Sequence, residues 1–182
     1  QGKKPPRTTA EVLAHTPVTN DVQALEAAAP QILAGEDEPF TVLTSVYAGD
    51  DPQQFERALV SITREQNLKP DQVVLVQDGP VPDELQETID RASDIAGQHI
   101  DVVRLAENQG LARALEAGLK VARHEIIARA DADDVSLPQR FAKQLPLMRG
   151  RDLIGSAIAE FEHDETQWGM IRVLPAQHQD IA

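Results

Sequence analysis

From Phe40 onward, short apolar runs alternate with longer segments whose apolar positions recur every three or four residues. Residues 40–47, Phe-Thr-Val-Leu-Thr-Ser-Val-Tyr, are rich in β-branched and aromatic side chains and predict a strand. Asp50-Asp51-Pro52 reads as a helix cap with proline in the first turn. Phe55, Leu59, Val60 and Ile62 then form the apolar side of a helix reaching about Gln66. Residues 73–76 are an apolar strand, cut off by Asp78-Gly79-Pro80. Residues 82–95 predict a second helix, with Leu85, Ile89 and Ala92 on one face. A strand at 100–105, a helix at 110–122 and a strand at 126–128 follow. Ser136-Leu137-Pro138 opens a fourth helix running to about Met148, and 153–158 predicts a fifth strand.

Nearly continuous apolar strands alternating with helices imply an α/β fold, a mainly parallel sheet with helices on both faces. Right-handed crossovers bring the strand C-termini to one edge. Ser45, Tyr47, Asp78, Asn108 and Asp131 fall at or just beyond such ends, the edge where open α/β sheets bind ligands. Residues 1–38 read differently, as an extension and acidic linker. Their one helical stretch, 21–34, is interrupted by Pro30, and no chemistry is assigned there.

Charge narrows the partners. The chain of 182 residues carries a net charge of −13, which argues against nucleic acid or an anionic membrane surface. The absence of cysteine excludes disulfides and thiolate chemistry and is compatible with the cytoplasm. No apolar stretch approaches the ~20 residues of a transmembrane segment. Lys3, Lys4 and Arg7 are followed by Thr-Thr-Ala-Glu, so no signal peptide is read. The five histidines form no i, i+4 pair and offer no competing metal site. No Gly-x-Ser-x-Gly, Walker or dinucleotide fingerprint is present.

The candidate chemistry centres on residues 129–138, Arg-Ala-Asp-Ala-Asp-Asp-Val-Ser-Leu-Pro. Crowding Asp131, Asp133 and Asp134 at a strand end costs repulsion, which a divalent cation relieves. Carboxylates and water are the ligands Mg²⁺ and Mn²⁺ prefer, with substrate phosphates completing the shell. Taken alone, the same residues also fit a solvated acidic turn. Asp78 reads equally as a turn residue before Gly79-Pro80, and Tyr47 as an ordinary strand-end aromatic. Asn108 suits either a nucleotide contact or the cap of the helix near Gly110, whose N-terminus favours phosphate. Asp134 fits a ligand or a helix cap. Arg113 fits a phosphate contact or, more simply, a solvated helix face.

Four stretches, in this order, carry a family resemblance: Thr44-Ser45-Val46-Tyr47, Val76-Gln77-Asp78-Gly79, Glu107-Asn108-Gln109-Gly110-Leu111, and Asp131-Ala132-Asp133-Asp134 with Pro138 and Arg140. From about Phe40 to Glu162 the chain resembles family 2 inverting glycosyltransferases of the Rossmann-like GT-A fold, and is similar to bacterial exopolysaccharide and capsule enzymes. The resemblance implies a nucleotide-sugar-binding domain over 39–162. It implies a nucleotide-diphosphate sugar donor, read as a UDP-sugar, and a saccharide or lipid-linked saccharide acceptor. It implies a DxD motif in which Asp131 and Asp133 hold Mn²⁺ or Mg²⁺, Asp133 being the firmer ligand. Asp78 would read the uracil, Tyr47 would pack on the base, and Ser45, Asn108 and Asp131 would contact the nucleotide. The implied location is the cytoplasm, peripheral to the inner face of the cytoplasmic membrane. Two departures stand out. Glu116 replaces the asparagine many relatives carry two residues before Gly118, and the first strand reads Thr-Ser-Val-Tyr-Ala rather than Pro-Thr-Tyr-Asn.

An inverting transferase needs a general base for the acceptor hydroxyl. In the family that carboxylate lies beyond the donor half. Residues 163–182 read as a partial bridge towards an absent acceptor region, so the fold is expected to be C-terminally incomplete. Glu160, Glu162 and Asp164 match no family base, and none is assigned. The expectation is a donor-binding part with little or no transfer by itself; the alternative is a noncatalytic nucleotide-sugar-binding or assembly module. A GT-A-like nucleotidyltransferase is disfavoured because its glycine-rich, basic nucleotide loop is missing. An open cleft with a truncated sheet also favours self-association as a homo-oligomer.

Overall fold

The computed structural model describes residues 38–161 and 165–173. They divide into two compact units, one up to Arg149 and one from Gly150 on. The first contains β1 (Phe40–Val46), α1 (Pro52–Ile62), β2 (Gln72–Gln77), α2 (Asp83–Asp90) and α3 (Ala92–Ala96). It continues with β3 (Ile100–Arg104), α4 (Leu111–Leu119), β4 (Ile126–Arg129), α5 (Arg140–Gln144) and a 3₁₀ turn, Leu145–Met148. The second contains a short antiparallel pair, β5 (Ile158–Ala159) with β6 (Ile171–Arg172).

The sheet order is β3-β2-β1-β4, and every pairing is parallel. The chain moves outward from β1 through β2 to β3, then returns to the other side of β1 as β4. That reversal makes the gap between the C-terminal ends of β1 and β4 a topological switch point, where loops diverge and leave a crevice.

Both faces of the central strands are buried, which is why they read as apolar runs. Val42, Val46, Val73 and Leu75 pack with Phe55 and Leu59 of α1 and Leu85 and Ile89 of α2. On the opposite face Leu43, Val74 and Val76 meet Ala114 of α4. Gly118 lets α4 lie close there: a Cβ at this position would run into Leu43 and sit 2.9 Å from Val76 Cγ2.

At the N-terminal edge of the sheet, the buried Gln72 is fully bonded. Its Oε1 accepts from Thr41 Oγ1 (2.8 Å) and Arg123 N (2.7 Å). Its Nε2 donates to Asp101 Oδ2 (2.7 Å) and Val121 O (3.1 Å). Such an edge reads as stability rather than chemistry.

The α/β class and four strands stand as the sequence predicts, with four corrections. The first helix stops at Ile62 rather than about Gln66, because Thr63 leaves the helical conformation (φ −125°, ψ −83°) and residues 63–65 turn away. The helix over 82–95 is two helices, broken at Arg91 (φ −94°, ψ 5°). The fourth helix begins at Arg140, because residues 136–138 are bonded to the end of α1 and the turn after it instead. Residues 153–158 form no strand of the parallel sheet; only Ile158–Ala159 is extended, and it pairs antiparallel with Ile171–Arg172. Gly155 inside that segment weakens any longer strand. The expected helix at 21–34 and most of the bridge at 163–182 lie outside the described residues. Among the described residues, no helix is long and apolar enough to cross a membrane.

Candidate functional site

The acidic motif lies in the turn just beyond the end of β4. Ala130 N bonds to Leu43 O (3.0 Å), carrying the strand pairing one residue beyond Arg129. Ala130 and Ala132 are both buried in the main core cluster. Beyond the strand, residues 132 and 133 form a turn; Ala132 stays buried while Asp131 is partly exposed and Asp133 exposed. Asp131 Oδ1 accepts a 2.5 Å charged hydrogen bond from Arg129 Nη2, and Asp133 is exposed.

The turn is closed from the far side by Arg140 of α5. Its Nη2 donates to Arg129 O (2.6 Å) and its Nη1 to Ser136 Oγ (2.9 Å). The guanidinium lies in the field of Asp134 and Asp131.

Across the switch point, the loop after β1 adds a group that the sequence reading left unassigned. Asp51 is the residue that caps α1, its Oδ1 accepting from Gln53 N and Gln54 N at 2.9 Å. Asp50 is therefore released from capping. Its Oδ2 accepts from Tyr47 N (2.9 Å), and its own N–H donates to Tyr47 O (3.1 Å). Burial raises the Asp50 carboxyl above the usual range, against the lowering effect of the Tyr47 amide, and Asp133 and Asp131 raise it further. Two aspartates before a proline, only one of which can cap, were the available signal. The Tyr47 ring is half exposed and lies over Gly49, where a Cβ would sit 2.5 Å from the phenol oxygen.

Asp134 is also held above the usual carboxylate range, first by burial and then by Asp131 and Asp133, with Arg140 and Arg129 opposing. A raised native pKa means that ionisation costs more in the fold than in the unfolded chain. The penalty is full above the native pKa and absent below the unfolded one. Asp134→Asn is thus expected to raise the urea midpoint of metal-free protein at pH 7. The gain should fade as pH drops through the carboxylate range, and a gain that grows towards acid would contradict this assignment.

At the neighbouring strand end, Asp78 is only 3% exposed. Its Oδ1 accepts from Gln109 N (2.7 Å) and its Oδ2 from Gly110 N (2.9 Å). Asn108 Oδ1 also accepts from Gly110 N (3.1 Å). The two loop amides before α4 are thus committed to Asp78, which ties the loop to β2. Gly79 makes this closeness achievable: its φ is +85°, and a Cβ there would lie 2.5 Å from Asn108 N. Ser45 is half-buried in β1, level with Val76. Arg113 is exposed and paired with Glu116 (2.8 Å), as a solvated helix face.

The structure therefore groups Tyr47 and Asp50 with Asp131, Asp133 and Asp134 at the switch point. Asp78 and Asn108 form a second group, joined through Gly110. Among the described residues, no three His, Asp or Glu side chains converge as a metal cage. Two oxygen-donor carboxylates in a strongly negative field nevertheless suit Mg²⁺ or Mn²⁺, which take one or two carboxylates and complete the shell with phosphate and water. In the second unit, Glu160 is ion-paired with Arg172, while Glu162 and Asp164 lie outside the described residues.

Comparison with known proteins agrees with this geometry. The model of glycosyl transferase family 2 matches residues 41–180. The amylovoran biosynthesis glycosyltransferase AmsE of Erwinia amylovora is 37% identical over 143 residues, which cover 78% of this chain and 53% of that protein. UDP-Gal:alpha-D-GlcNAc-diphosphoundecaprenol beta-1,3-galactosyltransferase of Escherichia coli is 33% identical over 147 residues, covering 79% and 52%. The chain thus spans about half the length of these curated relatives. Among solved structures, the mannosyltransferase PcManGT of Pyrobaculum calidifontis, in complex with GDP-Man and Mn²⁺, superposes with a TM-score of 0.58 at 23% identity. That match covers 75% of this chain and 41% of PcManGT, a likeness of fold. A parallel sheet with this strand order, acidic residues at its switch point and the sequence match lead to one assignment: the chain belongs to glycosyl transferase family 2 and has the GT-A fold.

Proposed function

We propose that this chain is the donor-binding part of a glycosyltransferase of bacterial polysaccharide biosynthesis. It takes a nucleotide-diphosphate sugar, specifically a UDP-sugar, with Mn²⁺ or Mg²⁺ bound at Asp131 and Asp133. The acceptor is a saccharide or lipid-linked saccharide, which would put the reaction at the inner face of the cytoplasmic membrane. The observation that carries the reading is the outward-facing Asp131/Asp133 pair at the β1–β4 switch point, across from Tyr47 and Asp50. The Escherichia coli relative, whose name specifies UDP-Gal and a lipid diphosphate acceptor, supports the donor and acceptor classes. The Mn²⁺ in the PcManGT complex supports the metal.

Each residue has a task in this reading. When bound, the cation offsets charge on the diphosphate leaving group. Asp133 and Asp131 hold that cation and so fix the diphosphate. Tyr47 supplies a face for the base. Asp78 keeps the 108–110 loop in place and presents its remaining oxygen lone pairs towards a base N–H. Ser45 and Asn108 line the nucleotide path.

The test is calorimetric titration with UDP, ADP and GDP, each in Mn²⁺ and in EDTA. UDP should bind more tightly with metal and should beat the purine nucleotides. Equal UDP affinity in metal and chelator would overturn the metal assignment, and indiscriminate binding of the three nucleotides would overturn the uracil pocket.

A further inference from the structure

We infer that Ser61, in the last turn of α1, and Gln66, in the turn that follows it, are positioning residues for the Asp131/Asp133 pair. The inference rests on the donor-site reading above. Gln66 is 2% exposed and Ser61 is fully buried. Buried polar groups need partners, and these find theirs on the segment that follows the acidic motif. Ser61 Oγ donates to Ala58 O (2.6 Å) and accepts from Ser136 N (3.0 Å). Gln66 Nε2 donates to Ser61 O (2.6 Å) and to Leu137 O (3.0 Å), while its Oε1 faces Phe141 N at 3.4 Å. Asn67 N adds a bond to Pro138 O (2.8 Å). Three successive residues, 136 to 138, are thereby fastened to the last turn of α1 and the turn that follows it.

At the other side of the motif, Ala130 is fastened to β1 through Leu43 O. The turn bearing the carboxylates hangs between these two anchors. If the α1 anchor slackens, the carboxylates lose their fixed spacing without losing any charge. Groups hydrogen-bonded directly to metal ligands typically matter about 10–100-fold for metal affinity, and an anchor one step further back acts in the same direction with a smaller effect. Arg140 braces the same turn, but it also acts electrostatically on Asp134 and Asp131, so its replacement mixes two effects. Gln66 and Ser61 are neutral and isolate the geometric one.

The experiment compares Gln66→Met, Ser61→Ala and Gln72→Met. Gln66→Met keeps side-chain length and removes the amide; Ser61→Ala removes a single hydroxyl. Gln72→Met is the control, because Gln72 is equally buried and well bonded but sits at the opposite sheet edge. UDP Kd is measured by calorimetry in Mn²⁺ and in EDTA, at a temperature where thermal scans show each protein folded. Gln66→Met should weaken binding in Mn²⁺ by about threefold to tenfold, at or below the low end of what direct partners of metal ligands contribute, and leave binding in EDTA unchanged. Ser61→Ala should act in the same direction with a smaller effect, and decides the matter if Gln66→Met fails to fold. Gln72→Met should lower Tm and keep the wild-type ratio of the two Kd values. If Gln66→Met and Ser61→Ala also keep a wild-type ratio that favours Mn²⁺, the inference is overturned and the donor-site reading stands. If the wild-type ratio itself is one, the metal reading falls and takes the inference with it.

Discussion

Asp133→Ala is expected to remove most of the metal-dependent gain in UDP affinity. The loss in Mn²⁺ should be about 2–3 kcal/mol, roughly 30- to 150-fold in Kd. Asp131 already shares a 2.5 Å ion pair with Arg129, so Asp133 is the less committed ligand. Its removal should not unfold the protein. Asp133 is exposed, and its charge raises both Asp50 and Asp134, so metal-free stability should hold or rise. Calorimetry with Mn²⁺ and EDTA, beside a thermal scan, separates the two effects. An unaltered Kd in Mn²⁺ would refute the role of Asp133.

Gly79→Ala is expected to be among the most damaging small substitutions in the chain. Alanine at a φ of +85° is strained, and its Cβ would meet backbone, Asn108 N at 2.5 Å and the Glu107 carbonyl carbon at 2.8 Å. Backbone strain and forced displacement of the 107–110 loop together should cost about 3–5 kcal/mol. Gly110→Ala is the matched comparison. Its φ of +84° and ψ of 160° belong to a region almost confined to glycine, but nothing lies within 4 Å of the added carbon, so only the backbone cost of about 1–3 kcal/mol applies. Urea midpoints for the two variants measure the difference. Equal losses would show that the packed loop against Gly79 contributes nothing.

The parallel sheet was legible because strands buried on both faces spell themselves out as β-branched runs, and because turn residues such as Asp78-Gly79-Pro80 punctuate them. The acidic motif was legible because three carboxylates crowd together just past an apolar strand; that Ala130 and Ala132 are core while Asp133 is exposed depends on the turn beyond β4, which the local sequence does not spell out. What escaped depends on distant partners. Ser136-Leu137-Pro138 looks locally like a helix start, but Ser61, Gln66 and Asn67 claim its polar groups from about seventy residues away in sequence. Gln66 reads as the end of the first helix and is in fact a buried residue of the turn after it. Asp78 announces a strand end, yet nothing local says that its oxygens engage amides 31 and 32 residues further on. Asp50 was hidden beside Asp51, the true cap.

The ring resting on Gly49 belongs to the single tyrosine of the chain, and cysteine is absent altogether. Uniform incorporation of fluorotyrosine would therefore yield one fluorine resonance, and its origin would be the loop beside the carboxylates. A thiol introduced at any chosen position would be the sole attachment point for a dye or spin label. The crevice between β1 and β4 can accordingly be watched by spectroscopy on the native scaffold, with no residues to strip out beforehand.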